Sequence, residues 1–264
     1  MTTSDDYPSP LDRLTRVPRD AYQVVRYGTG PERFGEYWPG GDGAAVVLVH
    51  GGYWRARYRV DLLRLLAADL NARGYAVWNI EYRRMDLPGG GWPGTFDDVS
   101  AALDAVTGLG AGAIDPARVG LVGHSAGGTL ALWAAHRAAV PPAAVVSLAG
   151  VCDLALAARL GLSDGAVAEL LGGGPADRPA VYRRADPAAL APLGVPQLLV
   201  HGTADADVPF ELSRRYAVAA GPEATLLALP GADHFDVITP DSAAWPRIAR
   251  ELARMLPARE REDA

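Results

Sequence analysis

Ser125 lies at the centre of a Gly-x-Ser-x-Gly pattern that runs from Gly123 to Gly127. An apolar run precedes this pattern, and an Ala/Leu-rich stretch with helical periodicity follows it. On a sharp turn between a strand and a helix, a serine hydroxyl is exposed, and glycines let the two elements approach closely. The amide of Ala126 would then lie at a helix start, where N–H groups are unpaired and negative charge is favoured. The pattern therefore predicts a serine nucleophile beside a donor for an oxyanion.

A serine hydroxyl becomes a good nucleophile only when a base takes its proton and a third group orients that base. His234, in the loop after the last predicted strand, is the candidate base. Asp205, in the loop after the preceding strand, is the candidate orienting acid. Asp207 is the alternative acid, and we expect it to cap the helix that follows. The order Ser, Asp, His along the chain is that of α/β-hydrolases.

The remaining histidines are predicted to be structural. His50 and His201 end predicted strands just before glycines, which favours hydrogen bonds to the loop backbone. His124 precedes the serine and is expected to point away from it across the turn. His136 lies on the following helix and is expected to be solvated.

A tetrahedral intermediate also needs donors for its oxygen, and losing one such donor costs roughly 10²–10³ in rate in a studied protease. Gly51, Gly52 and Tyr53 follow a buried apolar strand and offer backbone amides at this point. We predict that the amides of Gly52, Tyr53 and Ala126 form the oxyanion hole.

Four aromatic residues near the predicted site are candidates for substrate binding: Tyr53, Trp54, Trp92 and Phe235. Rings around a cleft suit a flat apolar group, such as an N-formyl aromatic amine or an aryl ester. Packing of the loops is the alternative role for Trp54 and Trp92. Two arginines after a predicted strand, Arg83 and Arg84, could bind a substrate carboxylate or pair with nearby acids.

These residues follow strands that alternate with helices, which predicts an α/β fold with a mostly parallel central sheet covered on both faces. In such sheets ligands bind beyond the carboxyl ends of the strands. The stretch 150–193 interrupts the alternation and is predicted to be a small cap over the site. Strands are predicted at 22–27, 34–38, 44–49, 76–80, 119–122, 143–148, 198–200 and 225–229, and helices at 62–72, 95–109, 129–139, 209–219 and 242–255.

The length of 264 residues and the composition bound the remaining possibilities. We expect one domain over 1–264, with an N-terminal extension at 1–18 and a charged tail at 257–264. A net charge of −6 argues against a nucleic-acid partner, and no apolar run is long enough to span a membrane. All 25 basic residues are arginine, which excludes lysine chemistry, and the single cysteine, Cys152, excludes a disulfide framework or a thiolate zinc cluster. We predict a cytoplasmic protein with no cofactor or metal and leave its oligomeric state open, a homodimer included.

Four segments together resemble the α/β-hydrolase superfamily and, within it, the kynurenine formamidase (arylformamidase) branch. They are the segment His50-Gly51-Gly52-Tyr53-Trp54, the serine motif, the segment from His201 to Pro209 that contains Asp205, and Asp233-His234-Phe235. The resemblance implies Ser125 as nucleophile, Asp205 as orienting acid and His234 as base. It implies a serine hydrolase of a small ester or amide, most like an arylformamidase with an N-formylkynurenine-type substrate. The alternatives are a carboxylesterase or tailoring hydrolase with a larger acyl substrate and, from another class, a non-catalytic binding protein.

Overall fold

The computed structural model describes residues 17–41 and 43–258, and within them eight strands form one sheet. The predicted N-terminal extension (1–18) and charged tail (257–264) lie outside the described residues, apart from two residues of each. The strands are β1 (Gln23–Arg26), β2 (Phe34–Trp38), β3 (Ala45–Val49), β4 (Ala76–Ile80), β5 (Val119–His124), β6 (Ala144–Leu148), β7 (Gln197–Gly202) and β8 (Ala224–Leu229). The helices are α1 (Arg64–Ala72), α2 (Gly94–Ala105), α3 (Ala126–Arg137), α4 (Leu154–Arg159), α5 (Leu162–Leu171), α6 (Pro179–Ala185), α7 (Pro187–Leu190), α8 (Glu211–Ala220) and α9 (Trp245–Met255).

The strand order is β1-β2-β4-β3-β5-β6-β7-β8. β2 pairs antiparallel with both β1 and β4, and every later pairing is parallel. Every residue of β3, β4, β5 and β6 is buried, as expected for strands covered by helices on both faces. The predicted α/β-hydrolase fold with a mostly parallel sheet is therefore confirmed.

The core is divided between the two faces of the sheet because neighbouring residues of a strand point to opposite sides. On one face, Val47 belongs to the same buried cluster as Phe96 of α2. On the other face, Leu48 belongs to a cluster with Leu66 of α1 and Trp245 of α9. Burying a large apolar side chain of this kind stabilises the fold by roughly 1.5–3 kcal/mol.

Two predicted helices are shorter than their periodicity suggests, for local reasons. The predicted helix at 95–109 ends as α2 at Ala105 and continues as 3₁₀ turns, in which Gly110 has a positive φ of 59°. The predicted helix at 242–255 begins only at Trp245, with Pro246 in its first turn. Proline lacks the N–H that an interior helical position would use, so it fits at the start of a helix.

The stretch 150–193 lies between β6 and β7 and contains α4, α5, α6 and α7. α5 lies between two glycines in the left-handed region, Gly161 and Gly172. The turn that joins α4 to α5 lines the pocket described below. That this stretch forms a cap over the site stays a prediction.

No helix among residues 17–41 and 43–258 is long and apolar enough to cross a membrane. The cytoplasmic location, the small-molecule substrate and the absence of a nucleic-acid partner stay predictions, and the oligomeric state stays open.

Candidate active site

Ser125 sits on a strained turn between the last residue of β5 and the first residue of α3. Its φ of 54° and ψ of −121° are unusual for a residue with a side chain, and such strain persists only where surrounding contacts impose it. Here the Ser125 amide donates to the Leu148 carbonyl at 2.8 Å, and the Ser125 carbonyl accepts from the Gly128 and Val151 amides at 2.9 and 3.2 Å. A Cβ atom on Gly127 would collide with the Val49 backbone, so this close approach requires glycine.

His234 and Asp205 form a direct hydrogen bond although 29 positions separate them in the sequence. The His234 Nδ1 atom lies 2.7 Å from the Asp205 Oδ2 atom. The Asp205 Oδ1 atom accepts from the amides of Asp207 and Val208 at 2.9 and 2.8 Å, which fixes the carboxylate plane. Burial raises the pKa of Asp205, but hydrogen bonds from His201 and His234 outweigh burial and hold this pKa well below its usual range. The carboxylate is therefore ionised beside the imidazole.

Ser125 and His234 both line one pocket of ≈ 470 Å³ at the carboxyl edge of the sheet. Other lining residues come from the turn after β3, from the α4–α5 turn and from the loop after β7. The structure thus brings the predicted serine and histidine to one cavity, and Asp205 to the histidine.

The predicted oxyanion segment borders this serine closely. A Cβ atom on Gly51 would lie only 2.8 Å from the Cβ atom of Ser125. Gly52, Tyr53 and Trp54 then have φ values of 106°, 47° and 57°, so the chain turns sharply through the left-handed region. Among the described residues, the amides of Tyr53 and Ala126 donate to no other residue. Both are thus free to bind an oxyanion.

The Tyr53 side chain closes one side of the pocket. Its hydroxyl donates to the Asp207 carbonyl at 2.8 Å and so joins the turn after β3 to the loop that carries Asp205. Burial, followed by the charges of Asp207 and Asp205, raises the pKa of Tyr53 above its usual value. The phenol therefore stays protonated and keeps this bond at neutral pH.

A buried ionic cluster contacts the turn after β3, which carries the predicted oxyanion amides. Glu81 and His50 are fully buried, and Arg84 is nearly so. The Glu81 Oε1 atom lies 3.0 Å from the His50 Nε2 atom and also contacts the Arg84 guanidinium. The His50 Nδ1 atom lies 2.8 Å from the Gly51 carbonyl. The predicted backbone contact of His50 is thus present, and a carboxylate that sequence reasoning did not single out orients the ring.

His124 has a role that its position before Ser125 did not reveal. Its Nε2 atom lies 3.0 Å from the backbone carbonyl of His234. Burial, followed by the charge of His234, lowers the pKa of His124 to about 3, so the ring is neutral and donates to that carbonyl. His201 likewise contacts backbone, because its Nε2 atom lies 2.9 Å from the Val208 carbonyl. Adjacency to the serine was the only sequence signal for His124.

Two of the four predicted substrate-binding residues do not line the pocket. Tyr53 and Phe235 do so. Trp54 is fully buried, and Trp92 packs edge-on against Phe96 with ring centroids 4.9 Å apart. Contact of Trp54 and Trp92 with substrate therefore stays a prediction, and packing, the alternative role, is the one that these contacts favour.

Asp205, Asp207 and His234 offer three potential metal-ligand atoms that lie within 4.8 Å of one another. Two of these residues already form the 2.7 Å hydrogen bond described above. The absence of a metal requirement stays a prediction from the sequence.

The arginines after β4 are paired with acids. Arg83 binds Asp98 through two contacts of 2.7 Å, and Arg84 contacts Glu81 and binds Glu32 at 2.7 Å. Of the two roles considered for them, pairing is therefore the one that the structure supports.

Comparisons with known proteins agree with this architecture. A model of the BD-FAE family matches residues 39–219. Two uncharacterized proteins from strains of Mycobacterium tuberculosis are each 29% identical to this chain over 228 residues, which cover 83% of this chain and 74% of the relative.

Solved structures of low sequence identity share the fold. Esterase B from Lactobacillus rhamnosis superposes with a TM-score of 0.78 at 21% identity, covering 94% of this chain and 89% of its own. A truncated carbohydrate esterase from gut microbiota gives 0.75 at 22%, covering 90% and 98%. Esterase 2 of Thermogutta terrifontis, phosphonylated by sarin, gives 0.74 at 22%, covering 92% and 99%. These comparisons support the α/β-hydrolase superfamily but not the kynurenine formamidase branch in particular. The chain belongs to the BD-FAE family and has the α/β-hydrolase fold.

Proposed function

We propose that this protein is a serine esterase that hydrolyses carboxylic esters through an acyl-enzyme on Ser125. The observation that carries the proposal is the 2.7 Å bond between His234 and Asp205, made at the edge of the cavity that Ser125 lines. With Nδ1 of His234 engaged by the carboxylate, Nε2 is the ring nitrogen that can take the serine proton. The esterase class draws further support from the solved structures of the same fold, three of which are described as esterases.

In the proposed reaction, the Ser125 hydroxyl attacks the ester carbonyl while His234 takes its proton. The imidazolium then gives this proton to the leaving alcohol, and water, activated in the same way, hydrolyses the acyl-enzyme. Asp205 carries a negative charge throughout, because its pKa is held low, and it stabilises the imidazolium as that ion forms.

The oxyanion of each tetrahedral intermediate would bind the amides of Tyr53 and Ala126, with that of Gly52 as a third candidate. Donors fixed before the reaction need no reorganisation as charge develops, so they stabilise the transition state more than the ground state. Two features support their rigidity: the Tyr53 hydroxyl is tied to the Asp207 carbonyl, and His50 contacts the Gly51 carbonyl.

An N-formyl aromatic amide of the N-formylkynurenine type is the second candidate substrate. The observation in its favour is that the rings of Tyr53, Tyr58 and Phe235 line the pocket. The same triad chemistry would cleave a formamide. A carboxylesterase acting on a larger acyl group uses the same residues, so a substrate panel must separate the three.

The test combines an active-site probe with that panel. A fluorophosphonate should label the wild-type protein, and Ser125→Ala should abolish labelling without changing the circular dichroism spectrum. We expect 4-nitrophenyl butyrate to be hydrolysed faster than N-formylkynurenine, and His234→Ala to remove nearly all turnover. Folded wild-type protein that neither reacts with the probe nor hydrolyses any ester would favour the non-catalytic binding protein instead. Faster turnover of N-formylkynurenine would favour the arylformamidase.

A further inference from the structure

Arg57 differs from its neighbouring arginines because it lines the pocket without an acidic partner in the part of the chain that the structure describes. Arg55 pairs with Glu169 at 2.8 Å, and Arg59 lies 3.5 Å from Glu81. Arg57, between them, is exposed and forms no ion pair with any described residue. An arginine without a partner at the wall of a cavity retains its donors for a ligand.

The position of the Arg57 guanidinium is defined by an aromatic ring. It lies over the ring of Tyr58, with its central carbon 4.9 Å from the ring centroid. A cation–π contact of this kind uses no hydrogen-bond acceptor, so it leaves the guanidinium N–H groups able to bind a ligand.

A short series of contacts joins this cation to the serine. A Cβ atom on Gly51 would lie 2.8 Å from the Cβ atom of Ser125, and one on Gly52 would collide with the side chain of Tyr58. The ring beneath Arg57 therefore packs directly on the turn that supplies the proposed oxyanion amides. Because Ser125 and Arg57 line the same cavity, one substrate can contact both residues.

We propose that Arg57 binds an anionic group of the substrate, a carboxylate in the simplest case, and so gives this esterase a preference for esters that carry one. The inference rests on the proposed esterase function and adds the class of substrate. A guanidinium matches a carboxylate with two parallel N–H···O bonds, and each charge-assisted bond is stronger than its neutral counterpart.

Two acids that line other parts of the pocket could instead favour a substrate with a cationic group. Asp164 and Asp207 are exposed and also line the cavity. They would attract a cationic substrate group, so the charge preference has to be measured with both signs. The backbone carbonyl of Asp207 already accepts the Tyr53 hydroxyl, and its amide donates to Asp205, which fixes this residue beside the triad.

The experiment compares esters that differ only in charge. On the alcohol side these are 3-carboxyphenyl, 3-carbamoylphenyl and 3-(aminomethyl)phenyl butyrate. On the acyl side they are the monophenyl ester of adipic acid, which carries a free carboxylate, and the phenyl ester of adipic acid monoamide, in which a carboxamide replaces that carboxylate. Values of kcat/KM are measured for the wild type, for Arg57→Gln, and for Arg137→Gln as a control, because Arg137 is exposed at the far end of α3.

We expect the carboxylate ester of at least one series to be preferred over its amide by about tenfold, the factor that 1.4 kcal/mol of binding gives. Arg57→Gln should remove this preference by lowering kcat/KM for the carboxylate ester alone, and Arg137→Gln should preserve it. The preference should also weaken in 1 M salt, because the site is open to solvent. Three results would overturn the anion site while leaving the esterase proposal intact. The first is hydrolysis of the carboxamide-bearing esters at least as fast as their carboxylate counterparts in both series. The others are a carboxylate preference that survives Arg57→Gln and a preference for the ammonium ester. Hydrolysis of none of the five esters would overturn the esterase proposal and this one with it.

Discussion

Glu81 is a buried carboxylate, and its substitution tests how strongly the ionic cluster beneath the oxyanion turn stabilises the fold. Its Oε1 atom accepts from the Tyr82 amide at 3.0 Å in addition to His50, and its Oε2 atom accepts from the Val60 amide at 3.2 Å. Burial raises the pKa of Glu81, but the charge and hydrogen bond of His50 and the charge of Arg84 outweigh burial and lower this pKa to about 2. Other charged groups at the cluster are Arg59 and Glu32.

The lowered pKa of Glu81 sets the loss of folding stability that we expect when this charge is removed. A fall from the ordinary value of 4.5 to about 2 corresponds to about 3 kcal/mol of stability in the ionised form, as an order of magnitude. The substitution Glu81→Gln keeps the shape but removes the charge, and it leaves the buried Arg84 guanidinium with Glu32 alone. Breaking a buried pair in this way typically costs about 3–5 kcal/mol. We therefore expect the free energy of unfolding at pH 7 to fall by about 3 kcal/mol.

The stability that Glu81 contributes should decrease as the pH falls. Because the folded-state pKa of Glu81 is lowered, its contribution is fully present above the unfolded-state value of 4.5 and is lost as the pH falls from 4.5 towards 2. The wild type should lose this part of its stability over that interval. Glu81→Gln, which has no carboxyl to titrate, should show a shallower acid dependence, and the two proteins should approach each other near pH 2.5.

Urea denaturation followed by circular dichroism at pH 7, 4.5, 3.5 and 2.5 measures both quantities. The matched control is Glu251→Gln, which removes a carboxylate from an exposed pair with Arg254. A pair of this kind contributes only about 0–1 kcal/mol, so the control should unfold almost as the wild type does. A loss of less than 1 kcal/mol at pH 7 for Glu81→Gln, or an acid dependence parallel to that of the wild type, would refute the assigned role of this cluster.

Two further predictions concern the catalytic loops. Asp205→Asn should lower kcat by about 10⁴, as the corresponding change does in a serine protease. The variant should still fold, because the asparagine oxygen can accept hydrogen bonds from the same two loop amides. Steady-state kinetics and circular dichroism test these two points, and a loss of kcat below tenfold would contradict the orienting role. Tyr53→Phe removes the bond to the Asp207 carbonyl but keeps the Tyr53 amide, so kcat/KM should fall by less than about tenfold, the value of one neutral hydrogen bond; a fall of more than 100-fold with 4-nitrophenyl butyrate would mean that the hydroxyl itself takes part in the chemistry.

The gathering of the proposed catalytic residues was predictable because it depends on topology. Ser125, Asp205 and His234 each follow a strand of the parallel part of the sheet, and parallel strands end at the same edge. The serine motif, together with the order of the three residue types, was enough to predict that they would lie at one edge of the sheet. Their local backbone was also foreseen in part, since the glycines on either side of Ser125 are required by close packing.

Contacts between distant side chains could not be predicted in the same way. The periodicity of β4 does not reveal that Glu81 meets His50, or that Arg57 has no acidic partner among the described residues while Arg55 and Arg59 have one. Whether an aromatic ring in a loop lines a cleft or fills the core depends on the space available in three dimensions. The two roles considered for Trp54 and Trp92 could not be separated in the sequence for this reason, because composition and position near a strand end are the same in either case.

The supporting contacts of this site act mainly on backbone atoms of the catalytic loops. His124 binds the carbonyl of His234, Tyr53 binds the carbonyl of Asp207, and His50 contacts the carbonyl of Gly51. A side chain that binds the backbone of a neighbouring loop fixes the path of that loop whatever side chain the loop carries. The orientation of the proposed acid and base and of the oxyanion turn therefore depends on side chains other than those of Ser125, Asp205 and His234. A substitution at a pocket residue that makes none of these contacts, such as the proposed anion-binding Arg57, should therefore change specificity while leaving this geometry in place.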